Sequence, residues 1–70
     1  MFYDILNNLC KVRDKKITPL LQELDIGTGS ISRWRNGTIP NGETLIKIAD
    51  YFDISVDYLL GRTENPKINR

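Results

Sequence analysis

The apolar residues Leu20, Leu24, Ile26, Ile31 and Trp34 follow one another at steps of four, two, five and three. Steps of three and four keep side chains on one face of a helix, whereas the two and the five interrupt that periodicity across a glycine-bearing stretch. The interruption predicts two short helices packed at a steep angle: Ile26 plugs the junction, and Ile31 and Trp34 fold back on the first helix. The second helix of the pair is left with an exposed outer face.

No part of the chain alternates like a strand, and turn signals divide it into five short helical segments. The fold class expected is therefore all-α. Residues 2 to 14 place Phe2, Ile5, Leu6, Leu9 and Val12 at helical spacing as one apolar stripe. The second segment opens with Thr18-Pro19, read as a capping hydroxyl followed by the proline favoured at a first helical position, and carries Leu20, Leu21 and Leu24 to an end near Asp25. The third spans about 28 to 35 and stops at Asn36-Gly37, where glycine accepts a left-handed conformation. Asn41 caps the fourth, whose apolar face is Leu45, Ile48, Ala49 and Phe52; Ser55 caps the fifth, Val56 to Leu60, and Gly61 stops it. Seventy residues allow one domain, expected over 1–61, with 62–70 a loosely ordered polar tail or linker.

Composition narrows function by exclusion. With no histidine and Cys10 as the single cysteine, an internal disulfide, a Cys/His zinc site and histidine-dependent catalysis are ruled out, so no enzyme and no cofactor are expected. Cys10, beside Leu9 in a helical pattern, reads as a small buried hydrophobe. Asp50, Asp53 and Asp57 have the spacing of a surface stripe and lack the ligand order of a calcium loop. There is no apolar run of the roughly 20 residues that would span a bilayer and no basic amino-terminal signal, so a cytoplasmic protein without a membrane partner is expected. The net charge of +1 is unevenly spread: residues 11–40 hold six basic and three acidic side chains, and residues 41–60 one basic and four acidic. That asymmetry suits a domain presenting one face to a polyanion. Lys11, Arg13, Lys15 and Lys16 fit either phosphate contacts or ordinary solvated charges.

"GTGSISRWRNG", residues 27–37, holds the exposed face of the second helix of the pair. A phosphate-cradling loop would need a preceding strand and either a following lysine or a third glycine, and the stretch has none of these. Its outward residues are Thr28, Gly29, Ser32, Arg33 and Arg35. Small residues permit close approach to a surface, and arginine forms paired hydrogen bonds to guanine or reaches phosphates. Trp34 lies at Ile31 plus three and reads as core, as do Tyr51, Phe52 and Tyr58, with Tyr58 or its neighbours a candidate dimer contact.

The run "LLQELDIGTGSISRWRNGTIPNGETLIKIADYFDISVDYLLG" resembles the lambda-repressor/Cro-like, XRE-type helix-turn-helix regulators of phages and bacteria. "ISRWRNG" is similar to their recognition helix, "LIKIADYFDIS" and "VDYLLG" to their fourth and fifth helices, and the likeness covers about residues 17 to 61. The resemblance implies a five-helix domain with its helix-turn-helix in helices 2 and 3, binding double-stranded DNA as a homodimer at a palindromic operator with helix 3 in the major groove. It places Thr28, Gly29, Ser32 and Arg33 at bases, with Arg33 foremost. Asn36, Thr18 and Lys16 fall near the DNA backbone, and Arg35 adds positive charge toward it. Four residues depart from the pattern: Leu21 for a small alanine, Asp25 for the turn glycine, Arg35 for a glutamate and Ile17 for a glutamine. Leu21 implies a wider crossing or a shifted helix 2, and Asp25 a turn of positive φ that aspartate tolerates. A transcriptional regulator, of phage or prophage repressor type, is the function implied. A protein-binding module, such as an antitoxin or anti-repressor partner, is the alternative motivated by the low net charge and these departures.

Overall fold

A computed structural model of the chain describes residues 2–67. Within that span it forms five helices and no strand, in the order α1 (Phe2–Val12), α2 (Ile17–Glu23), α3 (Ser30–Arg35), α4 (Gly42–Phe52) and α5 (Val56–Leu59). The all-α reading holds. Helix α1 packs against α2, α3 and α5, and α4 packs against α5. Phe2, Leu6, Leu20, Leu21, Trp34, Ile48, Phe52 and Leu59 fill the space between them.

All five helices end in the same device. The residue just past each end adopts a left-handed conformation, at Asp14, Asp25, Gly37, Asp53 and Gly61. Its N–H and the next one then turn back to carbonyls of the last turn. After α3, Gly37 N–H donates to Trp34 (3.0 Å) and Thr38 N–H to Arg33 (3.0 Å); after α2, Asp25 N–H donates to Gln22 (3.2 Å) and Ile26 N–H to Leu21 (2.8 Å). This paired pattern satisfies carbonyls that a helix end would otherwise leave bare. Glycine supplies the conformation at two of the ends, and aspartate, which tolerates it better than most residues, at three.

That device corrects the expected first helix, which stops at Val12 because Asp14 (φ 54°) is already left-handed. The buried stripe is Phe2, Leu6 and Cys10, a spacing of four, and Val12 is 82% exposed instead of inward. Burial pushes the Cys10 thiol up from its ordinary value, with Lys15 opposing, which fits a packed, protonated side chain.

The second helix also begins earlier than expected. Lys16, extended at φ −104° and ψ 147°, is the N-cap and contributes no side-chain cap, so Thr18 is a first-turn residue and not the cap. Pro19 is therefore the third helical residue and not the first, still a position where a helix has no use for an N–H, and Leu20 makes the first return bond, to the Lys16 carbonyl at 3.2 Å. Leu21, the large residue in place of a small one, is fully buried in the core. Asn41 and Ser55 cap α4 and α5 as expected, accepting from the N–H groups of Thr44 (2.9 Å) and Tyr58 (3.0 Å).

Residues 62–67, expected as a loose tail, turn back on α5: Arg62 N–H donates to Asp57 and Ser55 N–H to the Pro66 carbonyl, both at 2.9 Å. Residues 68–70 lie outside the described residues. No helix among the described residues is long and apolar enough to cross a membrane.

Candidate nucleic-acid interface

Helix α3 is one and a half turns long, and its residues are distributed sharply around it. Trp34 is 4% exposed and faces the core, where it meets the Phe2 ring edge-to-face at a centroid distance of 5.2 Å. At 3.6 residues per turn Ser32 lies about 160° round the helix from Trp34, while Arg33 and Arg35 lie about 100° to either side. Ser32, Arg33 and Arg35 are all exposed. The two arginines therefore flank the outward direction and do not share it with Ser32.

Each arginine is held by a different neighbour. Arg33 donates from Nη2 to the Ser30 hydroxyl at 3.0 Å, which draws its guanidinium back along α3 toward the amino end. Four of its five N–H donors remain for another partner. Arg35 donates from Nη2 to the Tyr3 hydroxyl at 3.4 Å, and its guanidinium carbon lies 5.5 Å from the centre of the Tyr3 ring. Neither Ser30 nor Tyr3 is among the residues singled out from the sequence. The Ser30–Arg33 spacing of three was a legible helix-face pairing, but nothing local connects Tyr3 with a residue 32 positions away.

Thr28 and Gly29 precede α3 instead of opening it. Ser30 N–H donates to Gly27 (3.1 Å) and Ile31 N–H to Thr28 (3.2 Å), so the chain enters the helix through a tighter turn than the expected start at 28 implied. Gly29 is the N-cap at φ −62°, and a Cβ there would meet nothing within 4 Å. Neither backbone conformation nor internal space demands glycine at this position. Asn36 is exposed at the carboxyl end of α3, and Lys16 and Thr18 are exposed at the start of α2.

The other cations of the front half behave differently. Arg13 donates to the Phe52 carbonyl at 3.3 Å and lies 5.7 Å from the Phe52 ring centre, closing the end of α4. Lys15 stands 5.2 Å from the Tyr51 ring centre and 4.0 Å from Glu23. The neighbouring Tyr51, with Glu23 adding a smaller effect, holds the Lys15 ammonium above its ordinary value. Of the four basic residues in 11–16, these two tie α4 and α2 to the loop after α1. Among the described residues no group of acidic or cysteine side chains is arranged to hold a metal ion.

A helix-turn-helix family model matches residues 13–59. The chain belongs to the XRE-type helix-turn-helix family of DNA-binding regulators. It is also 37% identical over 49 residues to the HTH-type transcriptional regulator ImmR of Bacillus subtilis (strain 168), an alignment covering 69% of this chain and 39% of that protein. The chain thus spans about two-fifths of the length of the curated relative it matches. No solved structure gives a significant match.

Proposed function

We propose that this chain is the DNA-binding part of a prophage-type transcriptional repressor acting in the cytoplasm. It binds a palindromic operator as a homodimer, with α3 in the major groove, and its activity is binding without turnover. The observation that carries this reading is the construction of α3: Trp34 anchors it, Ser32 points directly away from the core, and Arg33 is tethered by Ser30 over the amino end where Thr28 and Gly29 leave a low, uncluttered surface. A helix so presented fits a groove about 12 Å wide, and a tethered arginine has its planar fork available for guanine O6 and N7. Asn36, Lys16 and Thr18 lie at the ends of α3 and α2, where contacts fix register on phosphates.

Selection of bound sequences from random duplex DNA tests this reading. Enrichment of a palindrome with half-sites about 10 base pairs apart is the expected result. Recovery of no preferred sequence would overturn it.

A further inference from the structure

Tyr3 has no part in the reading face, yet it holds one of the two α3 arginines. Its position is set by its neighbour: Phe2 packs edge-to-face on Trp34 at 5.2 Å and 87°, so residues 2 and 3 of α1 grip residues 34 and 35 of α3 side by side. The first contact is apolar and buried. The second is exposed and leaves Arg35 charged, with only one donor engaged and, among the described residues, no carboxylate paired with it.

A helix with its side chains is about 10–12 Å across and nearly fills a major groove about 12 Å wide. Side chains pointing about 100° from the core direction then face the walls of the groove and not its floor, and those walls are phosphodiester strands. Arg33 is drawn back along the axis onto Ser30, whereas Arg35 is drawn sideways onto α1. We propose that Tyr3 positions Arg35 against the DNA backbone on the α1 side of the groove, forming a phosphate clamp indifferent to sequence. The inference rests on the DNA reading above and adds to it a residue from outside the helix-turn-helix. Ring and hydroxyl act together: stacking fixes the plane of the guanidinium, and the hydroxyl takes one N–H, leaving the outer edge of the fork for phosphate oxygens.

The test compares wild type, Arg35→Gln, Tyr3→Phe, Tyr3→Leu and the Tyr3→Leu/Arg35→Gln double variant. Binding is measured to the selected operator and to an unrelated duplex at several salt concentrations, with circular dichroism to check folding. Arg35→Gln is expected to weaken both duplexes by the same factor and to flatten the salt slope by about 0.9, so that the loss of affinity between 50 and 200 mM salt shrinks by about threefold. Tyr3→Leu is expected to give a smaller loss, equal on both duplexes, that disappears in the Arg35→Gln background. Tyr3→Phe keeps the ring and carries the same test with the fold undisturbed. An unchanged salt slope in folded Arg35→Gln, a loss confined to one base position, or additive effects of Tyr3 and Arg35 would each overturn the clamp while leaving the DNA reading intact. A folded wild type that binds neither duplex would overturn both.

Discussion

The two ends of α1 meet the rest of the molecule through the same kinds of side chain in opposite order. At the amino end α1 supplies the aromatics, Phe2 and Tyr3, to Trp34 and Arg35 of α3. At the carboxyl end the chain after α1 supplies the cations, Arg13 and Lys15, to Phe52 and Tyr51 of α4. The difference lies in which acceptor each arginine satisfies. Arg13 gives a donor to a backbone carbonyl at the end of a helix, a group that needs one, and this part-buried bond ties the loop after α1 to α4. Arg35 terminates on a phenol that sits on the surface, and its charge stays available to an outside anion. On the proposed reading, the same cation–aromatic pairing serves cohesion at one end and recognition at the other.

The largest expected effect removes the shared anchor of the recognition end. Trp34→Ala deletes a buried aromatic and the Phe2 edge-to-face contact, and costs about 3–5 kcal/mol, enough to unfold much of a domain this small. Urea denaturation measures it, and a loss under about 1 kcal/mol would mean that α3 is not seated on α1 as described.

Replacing each arginine in turn separates the two ends of α1. Arg13→Met should lower stability by about 1 kcal/mol through the lost Phe52 hydrogen bond and ring contact. DNA affinity of the folded protein should stay unchanged. Arg35→Gln should do the reverse, leaving the urea midpoint nearly constant while binding falls. If Arg13→Met weakened DNA binding as strongly as Arg35→Gln, the two ends would not differ in role.

Gly29→Ala gives a smaller and more selective effect. Because φ is ordinary and the surrounding space is open, stability should change by less than about 0.5 kcal/mol. DNA affinity should nevertheless fall if the start of α3 approaches the duplex closely. Equal binding by wild type and Gly29→Ala would remove that close approach.

The helix ends predict the smallest changes. Asp25→Gly and Asp53→Gly relieve a left-handed aspartate and remove a negative charge from the unfavourable end of a helix dipole, against the added freedom glycine gives the unfolded chain. A net gain of a few tenths of a kcal/mol each is expected from thermal unfolding, and a loss would mean that these carboxylates have partners the geometry does not show.

Much of this organisation was legible in the sequence because it is local. The caps at Asn41 and Ser55, the stop at Gly37 and the inward Trp34 all follow from residues within a few positions of one another, and the positive φ of Asp25 follows from the family resemblance, which puts a turn glycine there. Boundaries set by Asp14 and Asp53 were harder to see, since aspartate at a helix end signals a left-handed turn far less strongly than glycine does. The rotation of the α1 stripe from Val12 to Cys10 depends on which neighbours cover the helix, and periodicity alone does not fix that. Arg33 and Arg35 read as one basic face from their sequence spacing, but two residues on a helix lie about 200° apart. The Ser30–Arg33 pairing is local to α3, whereas the Tyr3 partner of Arg35 becomes visible only when α1 is brought beside α3.

The division of labour between the two arginines is the central claim, and one measurement addresses it directly. Sequence selection from random duplex DNA, run in parallel with wild type, Arg33→Ala and Arg35→Gln, separates base reading from backbone contact. Arg33→Ala should lose preference at one position in each half-site and weaken operator binding by about 1–3 kcal/mol, while Arg35→Gln should enrich the wild-type sequence at lower affinity throughout. Identical preferences for wild type and Arg33→Ala, or an altered preference with Arg35→Gln, would contradict it.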